Sequence, residues 1–531
     1  MPEDLVEQEG RPESLRPDLE AVIDQRRIGL DAARPEAVEK RRKLGKRTAR
    51  ENVADLCDPG SFIEYGALTI AAQRSRKTLE ELQRDTAADG LVSGIGEING
   101  TEVGRDKARC VVLHYDYTVL AGTQGHQNHR KTDRMIELAA AQKLPVVFFV
   151  EGGGGRPGDV DISQVVASWL EVPTFYEFAK LSGQVPLIGI NAGRCFAGNA
   201  AFFGCCDVTI ATRDSNVGMS GPAMIEAGGL GRFRPEDIGP IDVQSANGVV
   251  DVVVDDEAQA VRVARQYLSY FQGDIEAGAA PDQQRLRDLL PENRRMSYDV
   301  RRVVEGLADA GTMLEVRRGF APNLVTAFIR IEGRALGVLA NNPAHLAGAI
   351  DSAAADKAAR FMQLCEAHRI PLLSLCDTPG IMVGPAAEKA ATVRHASRLF
   401  IVGANLTVPL FGIVLRKAYG LGAQAMLGGH LKRPQFTVAW PTGEFGPMGL
   451  EGAVKLGFRR ELDALHEGAQ REQRFRQLVD QMYEQGKAAN VATYFEIDDV
   501  IDPAESRRWL VDGLRAKRDT PEPSRRFVDS W

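Results

Sequence analysis

The chain repeats itself, and that limits its possible folds more than any other feature. Residues 56–64 resemble residues 307–315, 251 positions later. Residues 91–93 and 98–100 return at 324–326 and 331–333, an offset of 233. Leu120-Ala121-Gly122, Lys131 and residues 144–147 return without a gap as Leu346-Ala347-Gly348, Lys357 and residues 370–373, an offset of 226. Residues 185–190 return at 408–413, an offset of 223. Four matches in the same order, at so long a period, mean duplicated domains rather than a solenoid. The falling offset puts extra residues in the first copy, mostly between Tyr65 and Gly90, where a loop tolerates them.

Each copy reads as three strands, a helix, a strand, a glycine turn, a helix, a strand, a second glycine turn and a helix. Alternating strands and helices predict an α/β fold. A length of 531 residues suits two domains, and 44% hydrophobic with 26% charged residues suits a globular chain. Pro12, Pro17 and Pro35 break residues 1–50 into short helices, read as a peripheral arm. The domains then run from 51 to 285 and from 286 to 531. No apolar stretch reaches bilayer-spanning length and no signal peptide opens the chain, which predicts a cytoplasmic protein without a membrane partner. A net charge of −7 argues against nucleic acid, and Arg41, Arg42 and Lys43 read as a solvated helix face.

The turns carry the chemistry. In the first copy they are residues 152–155, preceding a helical pattern near Asp161, and residues 192–198; in the second they are residues 377–380 and 419–422. A strand that ends in glycines and opens a helix bares backbone N–H groups to an anion, and two such turns converging make an oxyanion hole. Phosphate loops share this physics, and packing glycines remain the bland alternative. Residues 94–100 imitate a dinucleotide fingerprint with the wrong spacing, and neither a Gly-x-x-x-x-Gly-Lys-Ser/Thr loop nor a Gly-x-Ser-x-Gly elbow occurs. The seven cysteines form no Cys-x-x-Cys pair and read as reduced core residues, Cys195 and Cys376 included. His126 and His129 lack further ligands for a metal, so none is expected.

Residues 48–51, 58–62, 116–119 and 394–396, and above all residues 416–420 and 439–442, resemble the carboxyltransferase (β) subunits of biotin-dependent acyl-CoA carboxylases. The resemblance implies two duplicated crotonase-like domains of the ββα-superhelix type. It implies that the first holds acyl-CoA, that the second holds carboxybiotin, and that the active site lies between opposing domains of two subunits. Gly153, Gly154 and Gly155 would cradle the thioester enolate, helped by Ala197 and Gly198. Leu421 and Gly422, with Gly380, would hold the ureido oxygen of biotin. Arg156 would meet either a CoA phosphate or a structural carboxylate. No side-chain base is needed, because the carboxyl donor itself supplies one.

Two departures from the family pattern bear on the substrate. Gly152 to Arg156 replaces Ser-Gly-Gly-Ala-Arg, and Gly420-Leu421-Gly422-Ala423-Gln424 replaces Gly-Gly-Ala-Tyr-Asp. The second change, at Ala423 and Gln424 in the region that shapes the acyl pocket, leaves chain length open. With neither a biotinylation sequence nor an ATP loop, a biotin carboxylase and biotin carrier (α) subunit is the expected partner of a hexameric core. Transfer in the reverse direction, as in a decarboxylase, and a non-catalytic scaffold remain open alternatives.

Overall fold

The computed structural model describes residues 16–162, 167–168, 170–516 and 527–531. Two sheets organise it, one per copy. The first contains β1 (Ile63–Glu64), β2 (Leu91–Glu97), β3 (Arg109–Tyr115), β4 (Val146–Phe149), β5 (Leu187–Asn191), β6 (Val208–Thr212) and β7 (Val252–Val254), side by side in chain order. The second contains β8 (Leu314–Val316), β9 (Leu324–Ile331), β10 (Arg334–Asn341), β11 (Leu372–Thr378), β12 (Leu410–Tyr419), β13 (Phe436–Ala439) and β14 (Asp499–Val500), again in chain order. In both, the first three strands are antiparallel and the rest parallel. This is the crotonase-like ββα arrangement, twice. The parallel strands are covered on both faces, so they read as continuous apolar runs rather than alternating ones.

The copies share polar devices as well as topology. Asp58 accepts from Gly100 N–H (2.7 Å) and is gripped by Arg265, which also bonds Leu56 O (2.6 Å). In the second copy Asp309 accepts from Gly333 N–H (2.8 Å) and is gripped by Arg507, which also bonds Leu307 O (2.5 Å). Lys131 Nζ donates to Ala88 O (2.9 Å) and Leu91 O (2.5 Å), while Lys357 Nζ donates to Phe320 O (2.8 Å), Ala321 O (3.3 Å) and Leu324 O (2.6 Å). Ala88, Phe320 and Ala321 lie in the turns that lead into β2 and β9, so each ammonium ties a turn to the start of its strand. Burial lowers the lysines to about 8 and about 7, while the carbonyl cages favour the ammonium forms.

Two sequence expectations need correction. The extra residues between Tyr65 and Gly90 are not all loop, since Leu79–Asp85 is a helix capped reciprocally by Thr78 and Glu81. The first-copy glycine hairpin is interrupted by two short helices, Gly100–Val103 and Arg105–Ala108, whereas in the second copy Glu332 and Gly333, both at positive φ, close it directly. Of the helical pattern expected from Asp161, one turn, Val160–Ile162, is described; the pattern otherwise falls on residues 163–166 and 169, outside the described residues, and the next described helix is Thr174–Lys180.

Replacing Lys357, which is 1% exposed, by methionine removes three hydrogen bonds from a buried site and is expected to destabilise the chain by about 3 kcal/mol; a denaturant titration checks it. His114 gives a second test. Its Nδ1–H bonds Tyr115 O (2.8 Å), so Nε2 accepts from Asn52 Nδ2 (3.1 Å), and the ring stacks on Phe149. Burial lowers it to about 4. Because the fold favours the neutral ring, this stability is complete above the unfolded value of about 6.5 and is lost as pH falls toward 4. The His114→Gln variant should lack a pH-dependent loss of about 3 kcal/mol across that window, read from unfolding midpoints at its two ends.

Candidate active site

In the first copy, the turn after β4 and the turn after β5 meet face to face. Gly154 has φ +85°, and a Cβ placed on it would lie 2.7 Å from the Cβ of Ala197. Ala197 itself has φ +54°, an unusual conformation for alanine, which turns the chain into helix α1 (Gly198–Gly204). Most N–H groups here are taken. Gly152 N–H donates to Arg194 O (2.7 Å), Gly153 to Ala121 O (3.3 Å), Gly154 to Asn199 Oδ1 (2.9 Å), Arg156 to Gln124 O (2.8 Å) and Ala197 to Gly218 O (3.2 Å). Among the described residues, Gly155 N–H and Gly198 N–H find no protein acceptor.

The second copy repeats this pattern at the equivalent positions. Gly380, at φ +123°, gives its N–H to Thr378 Oγ1 (3.2 Å), and Met382 gives its own to Ile350 O (2.8 Å). A Cβ on Gly422 would lie 2.7 Å from Gly380 Cα, so the turn after β11 meets the start of helix α2 (Gly420–Met426) as closely as its counterpart does. Ile381 N–H and Leu421 N–H have no acceptor among the described residues. Ile381 escaped sequence reasoning because a bulky apolar residue does not suggest a donor. The 226 offset that carries Lys131 to Lys357 also carries Gly155 to Ile381, and that signal was available.

Of the glycines expected to cradle an anion, Gly153 and Gly154 thus have occupied N–H groups, and Gly155 and Gly198 have free ones. Gly152, the first glycine of the run, acquires a reason. A Cβ at Gly152 would fall 2.2 Å from Gly122 O and 2.3 Å from Asn199 Nδ2, so the asparagine that fastens Gly154 leaves no room for a serine. At Gly155 nothing lies within 4 Å of a Cβ, and the residue is exposed.

Arg156 is not available to a CoA phosphate. It is 7% exposed, and its guanidinium is filled by Asp89 (2.5 Å), Asp159 (3.3 Å) and Thr123 O (2.9 Å). Of the two partners considered from sequence, it meets structural carboxylates. Ala423 and Gln424 border a cavity of about 370 Å³ between α2 and the helix Ala469–Gly486, lined also by Gly420, Phe445 and Met482. Cys195 is buried and its thiol pushed far up; Cys376 is pushed up to about 12 by burial beside Asp377. Neither serves as a nucleophile at neutral pH. His129 bonds Thr174 Oγ1 (3.0 Å).

The arm is not peripheral throughout. Arg42 and Lys43 are exposed, as expected of a solvated face, but Arg41 is buried and binds Glu151, the residue before the first glycine turn. No sequence pattern signals a partner 110 residues away.

Residues 40–528 match the family model described as the carboxyl transferase domain. The methylmalonyl-CoA carboxyltransferase 12S subunit of Propionibacterium freudenreichii is 33% identical over 93% of each chain. The biotin-dependent long chain acyl-coenzyme A carboxylase beta4 subunit of Mycobacterium tuberculosis is 33% identical over 91% of each. Among solved structures, a single-chain, multi-domain long-chain acyl-CoA carboxylase is 56% identical with a TM-score of 0.89 over 94% of this chain, which spans only 49% of that protein. The hexameric transcarboxylase 12S, solved with methylmalonyl-CoA and methylmalonic acid bound, is 30% identical with a TM-score of 0.81 over 98% of this chain and 100% of that one. The duplicated fold and the match along nearly its whole length show that this chain belongs to the carboxyl transferase domain family, the carboxyltransferases of biotin-dependent acyl-CoA carboxylases.

Proposed function

We propose that the chain moves a carboxyl group between carboxybiotin and an acyl-CoA, using one pair of free backbone N–H groups for each substrate. The observation that carries this reading is the repetition of the unpaired donors at equivalent positions, Gly155 with Gly198 and Ile381 with Leu421, beside the bonded N–H groups of Gly154, Arg156, Ala197, Gly380 and Met382. Bound carboxybiotin, presented by a carrier domain or subunit, supplies the carboxyl group. The chain's contribution is fixed dipoles. Gly155 and Gly198 would receive the thioester oxygen and hold its charge as the α-carbon becomes an enolate. Ile381 and Leu421 would receive the ureido oxygen. These residues fit the group, since neither donor has a protein acceptor among the described residues, Leu421 being 61% exposed and Ile381 half-buried. Preorganised donors need no reorganisation during reaction, and with the carboxyl donor supplying the base for the α-proton, the chain itself would need no side-chain base.

Backbone donors serve either direction of transfer. For substrate, the reading favours long acyl chains. The 56% identity to a long-chain enzyme supports it, as does the cavity beside Ala423 and Gln424, where alanine replaces a tyrosine ring. A symmetric assembly that brings the first copy of one chain against the second copy of another is proposed from the 12S hexamer. No helix among the described residues is long and apolar enough to cross a membrane, and seven free cysteines suit a reducing cytoplasm.

Purified protein incubated with carboxylated free biotin and acyl-CoAs from two carbons to long chains should give carboxylated product, with the longer chains favoured. No product on any acyl-CoA, and no loss of CO2 from carboxylated acyl-CoAs, would remove the catalytic reading. Gly198→Ala tests the first hole: its Cβ would fall 2.0 Å from Gln124 Oε1 and 2.9 Å from Phe175, displacing the donor. Its kcat should fall by about a hundredfold with assembly intact, as read by steady-state kinetics and light scattering.

A further inference from the structure

A buried carboxylate stands at the start of the first glycine turn of each copy, and the two copies neutralise it differently. Glu151 accepts from Arg41 Nη1 (2.9 Å) and Nη2 (2.8 Å); acid and base are 6% and 5% exposed. Arg41 reaches in from the arm helix Pro35–Lys43, braced by a bond from its Nε to Arg47 O (3.1 Å), with Glu257 3.8 Å from the same guanidinium. The second-copy equivalent, Asp377, meets Arg416 Nε (3.1 Å), Lys417 Nζ (2.8 Å) and Tyr298 Oη (2.8 Å). No counter-ion is common to both. The acid has been kept while its cation was found in different parts of the chain, which indicates that the requirement is the neutralised acid itself.

Geometry says why Glu151 matters. Its backbone leads into the first turn. Its side chain packs under the second, where a Cβ on Gly193 would lie 2.1 Å from Glu151 Oε1. One residue therefore touches both turns that present the free donors. Without Arg41, a bare buried carboxylate would remain beneath the place where a substrate oxygen gains negative charge.

We propose that Arg41 and Glu151 are positioning residues of the first hole, a neutral pair that keeps Gly155 N–H and Gly198 N–H in register and free of an opposing charge. The proposal rests on the reading of that hole as the acyl-CoA site.

The test compares two reactions in the same full-length preparations. One is carboxyl transfer from carboxylated free biotin to palmitoyl-CoA, or to whichever acyl-CoA the unmodified chain accepts. The other is release of CO2 from carboxylated free biotin with no acyl-CoA present, which uses only the second copy. For Arg41→Met, the kcat of transfer should fall by about a hundredfold, while KM for acyl-CoA stays within about threefold and CO2 release within about twofold. The double variant Arg41→Met/Glu151→Gln removes the stranded charge and should recover about tenfold over Arg41→Met. Arg41→Lys keeps the charge with fewer donors and should lie between wild type and Arg41→Met. If Arg41→Met does not fold, Arg41→Lys and the double variant are read in the same way. Equal losses in both reactions mean a merely structural role and overturn the proposal, as does a double variant no faster than Arg41→Met. A wild-type chain that carboxylates no acyl-CoA would instead sink the functional reading on which the proposal stands.

Discussion

Gly154 N–H is held by Asn199 Oδ1 at 2.9 Å, and much of the site follows from that bond. It fastens the first glycine turn to the start of α1, and it draws the asparagine into the space that makes Gly152 obligatory. It also takes one of the candidate donors out of play. The next donor along, Gly155 N–H, remains unpaired in an exposed residue. A hole of this kind is defined as much by the N–H groups the fold satisfies as by those it leaves, because a stray donor nearby would pull the charge off centre.

The second copy reaches the same result with different atoms. Gly422 stands where Asn199 would be and has no side chain to offer, so Thr378 Oγ1 takes Gly380 N–H instead and the two glycines close up against each other. Gly198 is forced to be glycine by Gln124 and Phe175, whereas its counterpart Leu421 projects its side chain outward. Backbone positions have been preserved and side chains have diverged, as expected if both copies retain the same dipole arrangement while receiving different ligands.

The duplication was legible because the devices that repeat, Lys131 with Lys357 and Asp58 with Asp309, bond to backbone within their own copy, so their residue types persist at fixed offsets. The turns were legible for a related reason: glycine at positive φ, as at Gly154 and Gly380, marks a backbone that other residues resist. Which turn N–H is free was not legible, since it depends on Asn199, Ala121 and Gln124 arriving from other elements. Arg156 and Arg41 exchanged roles for the same reason. Arg156 has the sequence position of a ligand contact and is enclosed by Asp89 and Asp159; Arg41 lies in a run of solvated charge and is buried against Glu151. Charge on a sequence carries no information about its partner until the chain has closed on itself.

The counter-ions also bear on which half takes which substrate. Asp377 is met by two cations, Arg416 and Lys417, leaving one positive charge in excess beneath the second hole. In the first, Arg41 is shared between Glu151 and Glu257, whose carboxyl pKa burial raises, so no positive excess remains. A positive surplus in a partly dehydrated site favours a ligand that is anionic on arrival, as a carboxylated ureido ring is. A balanced site suits a thioester, which is neutral at its reacting carbon when it binds and acquires charge only in the reaction. A permanent excess there would strengthen the binding of other anions, free carboxylates among them, without discriminating in favour of the enolate. The proposed division, acyl-CoA on the first copy and carboxybiotin on the second, is thus the one that the buried charges favour.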